Sequence, residues 1–201
     1  ALALMGLLPE GAQVTGSIRL AGQELTALDE ATWCQWRGRR MGMVFQEPMT
    51  ALNPLHPIGR QIAEGLRLHR HLDPKAARAE ALRLLQRVQL PQAAKRLDAY
   101  PHQLSGGQRQ RVVIAMALAC GPDLLIADEP TTALDVTIQA QILKLLMELQ
   151  EKLGMAILLI THDLGVVASL ADDVVVIYRG EVMESATDRL WNSMPRAWCS
   201  R

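Results

Sequence analysis

Leu104-Ser105-Gly106-Gly107-Gln108 and, one short helix later, Leu124-Leu125-Ile126-Ala127-Asp128-Glu129 are the stretches that decide how this chain folds. The first sets a hydroxyl and two glycines at the mouth of a helix predicted over residues 108–120. Free backbone N–H groups and the positive end of the helix dipole then face whatever docks there, and a triphosphate-like anion suits that end. The second is an apolar strand that closes on two adjacent carboxylates. Because side chains alternate along a strand, Asp128 and Glu129 are expected to point in different directions and hold different jobs, one serving a metal and the other a water. Taken alone, Ser105-x-x-Gln108 is also an ordinary capping box, and a strand ending in acids is commoner still. The ordered set sharpens the reading: Gln46 after a strand, then the two stretches above, then Ala133-Leu134-Asp135, then Thr161-His162-Asp163 after the apolar run 155–160.

Composition narrows the classes. A chain of 201 residues folded as one domain buries roughly 70% of its unfolded surface. Lys plus Arg equals Asp plus Glu at 21 each, so no field favours nucleic acid, and Arg37-Gly38-Arg39-Arg40 reads as a solvated turn rather than a basic patch. Cys34, Cys120 and Cys199 show no CxxC or metal spacing, which fits a reducing compartment with buried or idle thiols. No apolar run approaches the ~20 residues that span a bilayer, so membrane association is expected to run through a partner.

Periodicity gives the organisation. Residues 14–21 alternate as a strand, 29–36 read as a short helix and 41–45 as a buried strand. Over 57–88 the pattern turns helical, with Ile58, Ile62 and Leu66 on one face and Ala77, Ala81, Leu84, Leu85 and Val88 on another, separated by Leu72-Asp73-Pro74. Strands over 123–128, 155–160 and 173–178 then alternate with helices over 137–153 and 164–170, the former turning Ile138, Ile142, Leu145, Leu146 and Leu149 inward. Such alternation predicts an α/β fold with a mostly parallel sheet flanked by helices on both faces and an inserted helical subdomain. Arg179-Gly180 turns into a short antiparallel edge over 181–184, and a helix is expected near 188–192. His69, Arg70, His71 and Asp73 read as a solvated helix cap rather than a metal cluster, His56 and His102 as makers of local loop contacts, and Met41, Met43, Met49, Trp33 and Trp36 as packing.

At Gln46, Leu104–Gln108, Leu124–Glu129, Ala133–Asp135 and His162 the chain resembles the ATP-binding subunits of ABC transporters, a P-loop NTPase fold. Three stretches resemble the dipeptide, oligopeptide, glutathione and nickel importer branch: Phe45-Gln46-Glu47-Pro48-Met49-Thr50-Ala51-Leu52-Asn53-Pro54, Tyr100-Pro101-His102-Gln103-Leu104 and Ile126 through Thr137. The resemblance runs to about residue 184. The phosphate-cradling P-loop, Gly-x-x-x-x-Gly-Lys-Ser/Thr, is absent: none of Lys75, Lys95, Lys144 and Lys152 follows a glycine. Residues 1–9 are similar to the helix that follows the P-loop in the family, so the chain reads as an N-terminally truncated fragment, inactive by itself, of an ATP hydrolase.

The resemblance implies roles. Gln46 becomes the Q-loop residue, at the metal or the water; Ser105, Gly106, Gly107 and Gln108 the signature, facing the nucleotide of an opposite subunit in a head-to-tail dimer. Asp128 binds Mg²⁺, Glu129 polarises the attacking water, Asp135 belongs to the D-loop and His162 is the switch histidine at the γ-phosphate. The implied cofactors are ATP and Mg²⁺. Expected partners are a second ATP-binding subunit, permease subunits and, indirectly, an extracytoplasmic solute-binding protein, with the chain peripheral on the cytoplasmic face of a bacterial inner membrane and nucleic acid excluded. Residues 1–46 and 111–201 are expected to form the nucleotide-binding core and 47–110 the helical subdomain. Two rival readings are a soluble ABC ATPase of translation or DNA repair and a non-catalytic module that only donates its LSGGQ face.

Overall fold

The computed structural model describes residues 1–132 and 134–187, without the side chains of Met49, Ala168, Ser169 and Thr187. Ala133, the helix expected near 188–192 and Cys199 lie outside the described residues. The first half of the chain holds β1 (Arg19–Leu20), β2 (Gln23–Glu24), α1 (Glu30–Trp36), β3 (Met41–Val44), α2 (Pro48–Ala51), α3 (Ile58–Arg70), α4 (Pro74–Arg87) and α5 (Ala93–Arg96). The second holds α6 (Gly106–Ala117), β4 (Leu124–Asp128), α7 (Val136–Leu153), β5 (Ala156–Ile160), α8 (Leu164–Leu170), β6 (Asp173–Tyr178) and β7 (Glu181–Thr187). Two compact units divide at Ile160.

In the first unit β3, β4 and β5 form a parallel sheet in that order, with Met43 opposite Ile126 and Asp128 opposite Ile160. Strand alternation sorts the apolar residues onto two faces. Val44, Leu125 and Ala127 join a core with α3, α4, α6 and α7, while Met41, Met43 and Ile126 join a second one with Met5, Leu25 and Trp33. Both faces of β3 and β4 are thus covered, as their uninterrupted hydrophobicity requires. On β5 the outer residues stay open, Leu158 being 37% exposed.

The helical stretch forms as its spacing predicts. Asp73 accepts from the N–H groups of Lys75 and Ala76 at 2.9 and 3.0 Å, and with Pro74 at the first position it starts α4. Ile58, Ile62 and Leu66 of α3 and Ala77, Ala81, Leu84 and Leu85 of α4 are buried in the main core. Each large one contributes about 1.5–3 kcal/mol of burial. On α7, Ile142, Leu145, Leu146 and Leu149 are buried and Ile138 packs against them.

Two expectations are corrected. The strand over 14–21 shrinks to Arg19–Leu20: after one further backbone bond, from the Leu25 N–H to the Ile18 carbonyl at 2.8 Å, the Glu24 carboxylate takes the Ser17 hydroxyl, the Ile18 and Thr26 N–H groups and the Thr26 hydroxyl. Those donors, Ser17 first, hold Glu24 well below the usual carboxylate range. Arg37 is no solvated residue: its Nε and an Nη donate to the Met5 and Gly6 carbonyls at 2.8 Å, and the guanidinium lies over Trp33. It ties the first residues to α1. Cys34 is exposed, whereas Cys120 is half-buried and burial pushes its thiol up.

In the second unit β6 and β7 form an antiparallel hairpin, Tyr178 opposite Glu181, through Arg179 and Gly180 at φ 51° and 85°. A two-residue turn with both φ values positive matches strand twist. The edge strand expected over 181–184 extends to Thr187.

One position that periodicity did not flag sets how closely α6 approaches the sheet. A Cβ on Gly42 of β3 would stand 2.4 Å from the carbonyl oxygen of Ala117, a backbone atom that no rotamer change can move aside. Gly42→Ala should therefore destabilise the fold by about 3 kcal/mol, the upper range of overpacking, and lower Tm by roughly 6–12 °C. Thermal unfolding followed by circular dichroism checks this; an unchanged Tm would mean that α6 does not sit on β3 at this distance.

Candidate functional site

The ends of β3 and β4 carry the site. Asp128 closes β4 and by alternation shares the face of Leu124 and Ile126. Glu129 lies one residue beyond the strand at φ 45°, so its direction comes from a left-handed backbone rather than from the strand alternation first expected. Its N–H donates to the Ile160 carbonyl at 2.9 Å, which continues the β4–β5 ladder by one bond. For a residue with a Cβ this conformation costs about 1–2 kcal/mol, and strain of this kind gathers at functional sites.

Gln46, two residues past β3, donates from Nε2 to Glu129 Oε2 at 2.9 Å. Which end of the amide meets the carboxylate follows from chemistry, since an ionised carboxylate only accepts. The amide oxygen of Gln46 is left as its acceptor end. Thr132 Oγ1 donates to the same Glu129 oxygen at 2.9 Å. The structure thus brings together Gln46 and Glu129, 83 residues apart in sequence, and adds Thr132, which the motif reading did not single out. Pro130 between them was the available signal, because Pro favours the second position of a β-turn.

The signature stretch starts α6 two residues earlier than expected. Ser105 Oγ accepts from the Gln108 N–H at 3.4 Å and Gln108 Oε1 accepts from the Ser105 N–H at 3.2 Å. That is the capping box, and it holds the helix mouth with Ser105 and Gly106 exposed. Asp135 caps α7 in turn, accepting from the Ile138 N–H at 3.0 Å. The two helix starts touch: a Cβ on Gly106 would lie 3.3 Å from Leu134 Cδ2, and one on Gly107 2.6 Å from Ile138 Cγ2. In the second unit His162 is exposed just before α8, whose cap is Asp163, accepting from the Gly165 and Val166 N–H groups.

Among the described residues no cluster of three or more His, Cys, Asp or Glu could hold a metal by itself. His71 ends α3 and Asp73 caps α4, as expected of a helix cap, but His69 is half-buried rather than solvated, and that burial pushes its imidazole pKa down. A single carboxylate, Asp128, with the amide oxygen of Gln46 suits Mg²⁺, which keeps waters and takes one or two protein ligands beside phosphate oxygens.

A sequence model described as ABC transporter matches residues 2–132. The chain is 63% identical over 151 residues to the glutathione import ATP-binding protein GsiA of Pectobacterium atrosepticum, covering 75% of this chain and 24% of that protein. It is 54% identical over 187 residues to the oligopeptide transport ATP-binding protein OppD of Haemophilus influenzae, covering 93% of this chain and 58% of that one. The chain therefore spans from about a quarter to under three-fifths of these relatives. A solved dimeric ATP-binding cassette in a post-hydrolysis state, bound to ADP and Pi, superposes with a TM-score of 0.77 at 30% identity, over 87% of this chain and 74% of that one.

The Gly107–Ile138 contact is testable. An alanine at a helical glycine ordinarily gains up to about 1 kcal/mol, but the branched Ile138 methyl is held stiffly at χ1 and stands too close. Overpacking should win, so Gly107→Ala should cost about 1–2 kcal/mol, and in an Ile138→Ala background the same change should be neutral or stabilising. A double-mutant cycle in urea measures the coupling; additive costs would contradict the contact.

Proposed function

The chain belongs to the ABC transporter family, and from that premise we propose that it is the ATP-hydrolysing part of an importer for peptides or a related solute of the glutathione or nickel type. The observation that carries the proposal is the 2.9 Å bond between Gln46 and Glu129 at the ends of two neighbouring parallel strands. Crevices at the carboxyl ends of parallel strands are where α/β folds bind ligands. Ligand names borne by the relatives, glutathione and oligopeptides, support the importer branch. Among the described residues no helix is long and apolar enough to cross a membrane. That suits a peripheral subunit docked on permease partners at the cytoplasmic face, with the solute-binding protein beyond.

In the proposed reaction water attacks the γ-phosphorus of ATP, the bond to the bridging oxygen breaks, and ADP and phosphate leave. Little covalent work falls to the protein, which acts by positioning and charge. Glu129 accepts a hydrogen bond from the attacking water and orients it. Gln46 holds Glu129 through its amide nitrogen. Asp128 and the amide oxygen of Gln46 are the groups that would hold Mg²⁺, whose charge offsets that of the phosphate oxygens. His162 is assigned to the γ-phosphate from the order of the family's motifs alone.

We assign residues 47–110 to a helical subdomain that reports through Gln46, and residues 1–46 and 111–201 to the nucleotide-binding core. Ser105, Gly106, Gly107 and Gln108, with Asp135, are proposed to close on the nucleotide of a second ATP-binding subunit. The α6 start offers N–H groups to its γ-phosphate.

ATP turnover requires a P-loop, so these tests use the chain joined behind a P-loop-bearing segment. Glu129→Gln should leave ATP binding intact while lowering kcat by roughly 10², about 3 kcal/mol, because water orientation acts only in the transition state. Loss of ATP affinity alongside rate would make Glu129 a metal or structural acid. Gly106→Asp should abolish ATP-driven dimerisation, measured by light scattering in a Glu129→Gln background, by setting a carboxylate against the phosphates. Leu134 at 3.3 Å needs only a small shift, so circular dichroism should show the fold retained. A folded protein that still dimerises would reduce the signature to a helix cap.

A further inference from the structure

We propose that the Thr132 hydroxyl is a second positioning group for Glu129, built into the turn that follows it; the proposal rests on the reading of Glu129 as the residue that orients the attacking water. Four observations converge on it. The Thr132 N–H donates to the Glu129 carbonyl at 3.2 Å, closing a β-turn over residues 129–132 with Pro130 at its second position. Thr132 Oγ1 then donates to Glu129 Oε2 at 2.9 Å, so one residue is fastened to the other through both backbone and side chain. Gln46 Nε2 reaches that same oxygen at 2.9 Å from the end of β3. Thr132 itself is only half-buried, so hydrophobic burial does not account for a threonine here.

The geometry has a chemical consequence. A carboxylate attached through rotatable bonds samples several rotamers, and each unproductive one removes the water from line. Two donors arriving at one oxygen from different segments fix the plane and tilt of the group. Of the two, Thr132 moves with Glu129 because they share a turn, whereas Gln46 sits on a separate segment that leads into α2. Thr132 therefore keeps the carboxylate aimed when the Gln46 segment shifts. A β-branched residue suits the task, since its χ1 is restricted and the hydroxyl stays where the turn places it.

Thr132→Val removes the donor while keeping the branched shape, and Thr132→Ser keeps the donor. In the P-loop-bearing protein, Thr132→Val should lower kcat roughly tenfold with KM for ATP unchanged, as expected when the position of a reacting group is loosened. Thr132→Ser should recover most of the lost rate. In the Glu129→Gln background Thr132→Val should cause no further loss. Circular dichroism accompanies each variant, and Thr132→Ala replaces Thr132→Val if the latter does not fold. Thr132→Val turning over at the parent rate, or Thr132→Ser falling as far as Thr132→Val, would overturn the proposal.

A second readout needs no turnover. In ¹⁵N spectra of the 201-residue chain, the Gln46 side-chain amide should shift on Thr132→Val and stay in place on Thr132→Ser. An unmoved Gln46 signal in Thr132→Val would equally overturn the proposal. If the parent hydrolyses no ATP at all, the hydrolytic reading fails by itself, and the Gln46 signal decides whether Thr132 positions Glu129.

Discussion

Everything at this site hangs on how strand β4 ends. Its interior residues Leu125, Ile126 and Ala127 are fully buried between two cores, which fixes the strand, and the bond from the Glu129 N–H to the Ile160 carbonyl pins the residue beyond it. With its amide committed to β5, Glu129 takes a left-handed backbone and sends its side chain to Gln46 instead of continuing the pleat. Shifting β4 by one residue would exchange the faces of every side chain on it and separate the acids from both partners. The strain at Glu129 is small beside the burial that imposes it, since two large aliphatic side chains on the same strand contribute several kcal/mol.

The helices extend that constraint outward. Gly42 lets α6 lie against β3, and the same helix begins at the exposed capping box, so the distance between sheet and helix also sets where Ser105 and Gly106 stand. Gly107 does the same against α7, whose cap Asp135 lies one turn before Ile138. These two glycines act by lacking a Cβ at a close approach rather than through unusual backbone angles. Fold and site therefore share contacts.

How much of this was legible in the sequence depends on the kind of signal. The buried strand expected over 41–45 and found over Met41–Val44 with Phe45 exposed, the apolar strand closing on Asp128 and the faces of α3, α4 and α7 follow from periodicity, because burial acts on every third or fourth residue of a helix and on whole runs in a parallel sheet. The capping box at Ser105 followed from local spacing. Residues 14–18 misled because alternation there satisfies a strand pattern, while the decisive group, the Glu24 carboxylate, lies on the far side of a turn. Arg37 misled because its value comes from carbonyls about thirty residues away, at Met5 and Gly6. Thr132 was signalled only by Pro130, which marks the turn that folds it back on Glu129, and Gly42 was not readable at all, since its role depends on the distance of a helix from the sheet.

Coupling between Gln46 and Glu129 is the central claim, and its most direct measurement is a double-mutant cycle on kcat in the P-loop-bearing protein. Gln46→Ala, Glu129→Gln and the double variant are compared under saturating ATP. If the two side chains act as one unit, the double variant loses less than the product of the two single losses, because the orienting part of the Gln46 effect is already gone with Glu129 and only its amide oxygen at the metal is left to lose. If the losses multiply, the 2.9 Å bond between them is incidental to catalysis and the account of the site is wrong.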